Sequence, residues 1–235
     1  MSQADPRLIV PLDLPTSDEA RAMVAALGDA VSFYKVGLEL LASDGMALAR
    51  ELKAQGKSVF LDWKLHDIGE TVRRATAALA GSGCDLLTVH AEPQVMAAAV
   101  AGRGEGSSLK ILAVTVLTSL TDADLEELGS AFGARDLVQR RISQAIKAGV
   151  DGIVSSPHEA ALARELAVAA GRPDFLIVTP GVRPAWSAKN DQARAATPAD
   201  ALAAGATHLV CGRPITAAAD PREAALRVIE EMAGV

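Results

Sequence analysis

A chain of 235 residues, half of them hydrophobic, is long enough to bury a substantial core, yet only 3% of it is aromatic, so Ala, Leu and Val do most of the packing. The net charge of −6 contains no block of like charge, which argues against a nucleic-acid or membrane surface. No apolar run approaches the roughly 20 residues of a membrane span. The first residues have neither the basic nor the apolar region of a signal peptide, and Cys84 and Cys211 lack metal or redox spacing, so the reading is a cytoplasmic protein with reduced, packed thiols.

Short apolar runs alternate with Ala-rich amphipathic stretches along the chain. The run 8–12 precedes a helical stretch at 17–27, 31–36 precedes 38–55, 58–61 precedes 71–80, and 85–89 precedes 93–101. The pattern repeats with 109–117 and 135–148, 152–154 and 157–169, 175–178 and 198–203, and 208–211 and 221–232. Most runs are continuous rather than alternating, as parallel strands buried on both faces require. Thr16, Ser156, Thr197 and Asp220 stand at helix starts, and the last three precede a proline suited to the first helical position.

Eight β–α units in succession predict one α/β domain over residues 1–235, a single closed (β/α)8 TIM barrel. The rival is an open, doubly wound sheet. No GxGxxG follows the first run, which weakens the dinucleotide-binding form of that rival. The longest stretch without periodicity is 181–196, a length typical of functional lids or disordered segments.

Active sites of such barrels lie where the strands end, and here nearly every run ends in a polar group. Asp13 follows the first run, Lys35 closes the second, and Asp62 and Lys64 follow the third. His90 closes the fourth, Thr118 follows the fifth, and Ser155 and Ser156 close the sixth. Pro180, Gly181 and Arg183 follow the seventh, and Gly212 and Arg213 follow the eighth. Asp62 and Lys64 are two apart, so a regular strand points them to one side, with Asp67 at the turn beyond. Most lone Asp–Lys pairs are structural ion pairs. Asp13 and Lys35 in the same mouth point instead to a carboxylate–ammonium array. The sequences TPGVRP and CGRPIT sit where barrels often bind phosphate, although an ordinary turn with a surface arginine reads equally well. His66, His90, His158 and His208 show no metal-ligand spacing and are expected to be packed or hydrogen-bonded. No metal site is expected.

Taken together, VPLD, YKVGLEL, FLDWKLHDIGETV, LTVHA, AVTVLTSL, IVSSPHEA, VTPGVRP, the DQ pair and CGRPIT run nearly end to end. In these motifs the chain resembles the bacterial orotidine 5′-monophosphate decarboxylases. The resemblance implies cofactor-independent decarboxylation of orotidine 5′-monophosphate to uridine 5′-monophosphate, the last step of UMP biosynthesis. It implies that Lys64 donates a proton to C6, that Asp62 lies beside the substrate carboxylate, and that Lys35 and Asp13 contact the ribose. Thr118 and Ser156 are implied near the ribose or base, and Pro180, Arg183, Gln192, Gly212 and Arg213 around the phosphate end, with Gln192 on the mobile loop. Asp67, Ile68 and Thr71 are implied to enter the neighbouring subunit's site, which makes the enzyme a homodimer. The chain departs from the pattern at Gly69-Glu70, where the family commonly has Pro-Asn. Proline would preorganise the first helical turn, and glycine does not. Trp63 alternates away from Asp62 and Lys64 and is expected to face the helices. Two other readings are a related DxKxxD sugar-phosphate decarboxylase or aldolase with a metal, which usually carries an acidic ligand where Lys35 stands, and a non-catalytic phosphometabolite-binding barrel.

Overall fold

Strand β1 (Leu8–Pro11) leads into helix α1 (Ser17–Leu27), and the unit then repeats around a ring in a computed structural model that describes residues 4–187 and 196–234. The first half continues with β2 (Phe33–Val36), α2 (Leu38–Leu41), α3 (Gly45–Ala54), β3 (Ser58–Leu65), α4 (Gly69–Ala80), β4 (Leu86–His90) and α5 (Pro93–Arg103). The second half contains β5 (Lys110–Val114), α6 (Asp122–Glu127), α7 (Ala134–Ala148), β6 (Gly152–Val154), α8 (Ala160–Ala169) and β7 (Leu176–Pro180). It ends with α9 (Pro198–Ala203), β8 (His208–Val210), α10 (Arg213–Thr216) and α11 (Pro221–Met232). The strands are parallel and close in chain order, with β8 pairing back onto β1. This is the predicted (β/α)8 barrel, and closure rules out the open sheet.

The two-residue period of the strands creates two apolar layers. Ile9, Phe33, Phe60, Leu86, Leu112, Val178 and Val210 form one cluster, the filling of the barrel. Their chain neighbours, among them Leu8, Val10, Tyr34, Leu61 and Leu87, pack with the helices in the other. Strands covered on both faces are why the runs read as continuous. Trp63 belongs to the helix-side layer, as expected. Cys84 and Cys211 are buried free thiols, and burial pushes Cys211 up to about 12.

All four expected caps form. The side chains of Thr16, Ser156, Thr197 and Asp220 each accept a backbone N–H at a helix start. The sequence reading missed several local features, the short helix α10 among them. The stretch 38–55 is two helices, because the chain turns tightly at Gly45, where a Cβ would lie 2.7 Å from the Leu40 carbonyl oxygen. Helix α6 was not expected, although Thr121 and Asp124 form a capping box at its start. Strand β3 extends to Leu65, four residues beyond the apolar run, because polar Asp62 and Lys64 belong to it. Among the described residues, no helix is long and apolar enough to cross a membrane.

Candidate active site

A cavity of about 300 Å3 opens at the C-terminal ends of the strands. Asp13, Lys35, Asp62, Lys64, Thr118, Ser155 and Pro180 line it, over an apolar floor that includes Phe60 and Val210. Four of these groups form a chain of alternating charge. Lys35 Nζ donates to Asp13 Oδ1 and Oδ2 at 2.9 and 3.1 Å and lies 3.4 Å from Asp62 Oδ2. Lys64 Nζ donates to the other Asp62 oxygen at 2.9 Å. Lys35 is 7% exposed, so its ammonium depends on these two carboxylates to offset lost hydration. Burial pushes the Asp62 carboxyl up. The charges of Lys35 and Lys64, with hydrogen bonds from Lys64 and Thr88, outweigh that effect and hold it below its usual range.

Gly37 makes this packing possible. A Cβ there would lie 2.4 Å from Asp13 Oδ1 and 3.0 Å from Lys35 Nζ, so any side chain would displace the pair.

The expected alternation of Asp62 and Lys64 holds only in its outcome. Between Leu61 and Leu65 the register of β3 against β4 is broken, with Leu61 opposite Leu87 and Leu65 opposite Val89. Lys64 has φ 49°, the one positive φ outside glycine among the described residues. For a side-chain-bearing residue this costs about 1–3 kcal/mol, a strain common at active sites. The broken ladder is repaired by a residue the sequence reading missed. Thr88, fully buried on β4, accepts the Lys64 backbone N–H at 2.9 Å and donates to Asp62 Oδ1 at 3.0 Å. Its signal was a hydroxyl at the inward alternate position after Leu86, between apolar Leu87 and Val89.

Thr118 and Pro180 line the cavity, but Ser156 does not. Its hydroxyl accepts the His158 N–H, and the neighbouring Ser155 supplies the lining instead. Arg183, Gly212 and Arg213 follow β7 and β8. The Arg183 N–H donates to the Ala196 carbonyl at 3.0 Å, and Gly212 packs so closely on Pro11 that a Cβ would meet its ring at 3.1 Å. Gln192 lies outside the described residues. Asp67, Ile68 and Thr71 are exposed and do not line this cavity, and Ile68 is 74% exposed. At the departure from the family pattern, Glu70 pairs with Arg73 at 2.7 Å and places an acid in the first turn of α4.

His66, His90 and Glu92 bring potential ligand atoms within 4.8 Å of one another. The two rings stack with centroids 4.9 Å apart, and Glu92 already accepts from the Arg141 guanidinium at 3.0 Å, a charge that opposes a metal ion beside it. His208 is partly buried against Thr207, and burial pushes it down.

A model of the orotidine 5′-phosphate decarboxylase / HUMPS family matches residues 6–228. An orotidine 5′-phosphate decarboxylase of Caulobacter vibrioides is 81% identical over 232 residues, covering 99% of each chain. One from Rhodopseudomonas palustris is 54% identical over 237 residues, again covering 99% of each. The crystal structure of the Lactobacillus acidophilus orotidine 5′-phosphate decarboxylase superposes with a TM-score of 0.82 at 37% identity, covering 97% of this chain and 99% of that one. A barrel with this charged array at its mouth, matched by this model almost from end to end, belongs to the orotidine 5′-phosphate decarboxylase / HUMPS family.

Proposed function

We propose that this chain is a carboxy-lyase that converts orotidine 5′-monophosphate to uridine 5′-monophosphate and CO2 in pyrimidine biosynthesis. The observation that carries the reading is the Asp13–Lys35–Asp62–Lys64 array lining one cavity. Loss of CO2 from C6 leaves a vinyl-type carbanion with little resonance help, so its charge must be met electrostatically. Lys64 supplies a fixed ammonium beside that carbon and then its proton. Asp62, held ionised, lies beside the departing carboxylate. Two like charges at 4 Å repel by about 4 kcal/mol at an effective dielectric of 20, a stress that ends when CO2 leaves. The preorganised lysines carry more of the argument, because they stabilise charge that exists only after the bond breaks.

Asp13 and Lys35 are assigned to the ribose, Thr118 and the Ser155–Ser156 pair, of which Ser155 lines the cavity, to the ribose or base, and Pro180, Arg183, Gln192, Gly212 and Arg213 to the phosphate end. Asp67, Ile68 and Thr71 are assigned to the site of a second copy, in a cytoplasmic homodimer of single-domain barrels. The exposure of Ile68 on this corner supports that assignment. No cofactor is required in this reading. Lys35 stands where a related sugar-phosphate enzyme usually carries an acidic metal ligand, and its ammonium, already between two carboxylates, repels a divalent cation.

The test is to add orotidine 5′-monophosphate and follow its ultraviolet absorbance in the presence of a chelator. Conversion to uridine 5′-monophosphate is expected, and an inert protein or one dependent on added metal overturns the reading. The phosphate assignment has its own test. Arg213→Ala is expected to raise KM for the nucleotide about 10- to 100-fold, the worth of a charge-assisted contact, while turnover of bare orotidine barely changes. Equal losses on both substrates would contradict it.

A further inference from the structure

We propose that Thr88 is a positioning residue for decarboxylation, which locks Asp62 and the strained Lys64 backbone into one geometry. The inference rests on the decarboxylase reading. From Leu61 to Leu65, β3 uses four residues to advance while β4 uses two, from Leu87 to Val89. The excess chain leaves the Lys64 N–H without a regular ladder partner, and the Thr88 hydroxyl accepts it at 2.9 Å. The proton of the same hydroxyl goes to Asp62 Oδ1 at 3.0 Å, the oxygen that also receives Lys64 Nζ at 2.9 Å. One hydroxyl therefore uses its donor and an acceptor on two neighbouring catalytic groups. It closes a ring running from the Lys64 backbone through Thr88 and Asp62 to the Lys64 ammonium.

Thr88 is fully buried and does not line the cavity, so it acts through the groups it holds and not on substrate. A valine would fill the same space and offer neither hydrogen bond. The Lys64 N–H would lose its partner, and its left-handed φ would lose a restraint. Asp62 would keep Lys35 from β2 and Lys64 from β3, with Asp13 behind Lys35, but would lose the neutral donor from β4.

The experiment compares Thr88→Val with Thr88→Ser in the full-length enzyme. Thr88→Val is expected to lower kcat by about 10- to 100-fold, the cost of misplacing reacting groups by about an ångström, with KM changed less than about threefold. Thr88→Ser, which keeps the hydroxyl, is expected to stay within about threefold of wild type. Carbon-13 NMR of the Asp62 carboxyl is expected to show titration at higher pH in Thr88→Val than in Thr88→Ser, because one hydrogen bond to the ionised form is gone. Should the valine variant fail to fold, Thr88→Ala carries the same expectations. A folded hydroxyl-free variant with wild-type kcat and unchanged Asp62 titration overturns the inference. A wild-type enzyme inert toward orotidine 5′-monophosphate overturns the reading beneath it, a distinct result.

Discussion

Lys64→Ala is expected to lower kcat by roughly 10,000-fold or more, because it removes both a general acid, worth about 10²–10⁴, and a fixed charge, worth about 10²–10³. The fold is expected to survive. The Lys64 side chain is a quarter exposed, and Asp62 keeps a second ammonium, Lys35, at 3.4 Å. The residual cost falls on Asp62. With one partner gone, its carboxyl rises toward its ordinary value, so the loss is fully present above that range and vanishes as pH falls through the lowered range of the wild-type carboxyl. Circular dichroism near neutral pH is expected to resemble wild type, with the melting temperature modestly lowered because Lys35 still pairs with Asp62, and product nucleotide is expected to bind still through ribose and phosphate contacts. Substantial remaining kcat in a folded variant would remove Lys64 from its assigned role. Loss of folding and activity together would show that the array is chiefly structural.

Much of this arrangement is legible in the amino-acid sequence. Eight apolar runs with capped helices between them gave the barrel, because parallel strands covered on both faces leave a continuous hydrophobic signature. The placement rule for barrel sites then collected Asp13, Lys35, Asp62 and Lys64, which do meet at one cavity. What was not legible depended on departures from regular geometry. Period-two reasoning put Asp62 and Lys64 together on a smooth strand, whereas the chain brings them together through a broken register and a left-handed lysine. Thr88 carried only the faint signal of a hydroxyl among apolar strand residues, because its value depends on a bulge in the adjacent strand. Ser155 and Ser156 were adjacent candidates that sequence could not separate, and the cap on the following turn took the second hydroxyl. Gly37 stood inside a quoted motif, but only the distance from its missing Cβ to Asp13 reveals why a side chain is excluded.

The corner carrying Asp67 leads to the second large effect. Asp67 is exposed, its Oδ1 accepts the Ile68 N–H at 2.7 Å, and neither residue lines the cavity of its own chain. If Asp67 completes a second copy's site, Asp67→Ala and Lys64→Ala are each expected to be nearly inactive alone, and active when mixed. In a mixed dimer, the site with an intact Lys64 receives an intact Asp67 from the other chain, while the second site carries both defects. Random exchange makes half of the dimers mixed, and half of their sites are whole, so about a quarter of wild-type activity is expected to return. Native mass spectrometry on subunits of different mass verifies the exchange. Recovery near a quarter requires the site to be shared between chains. Verified exchange with no recovery would confine Asp67 to its own chain, where its carboxylate accepts the neighbouring Ile68 N–H.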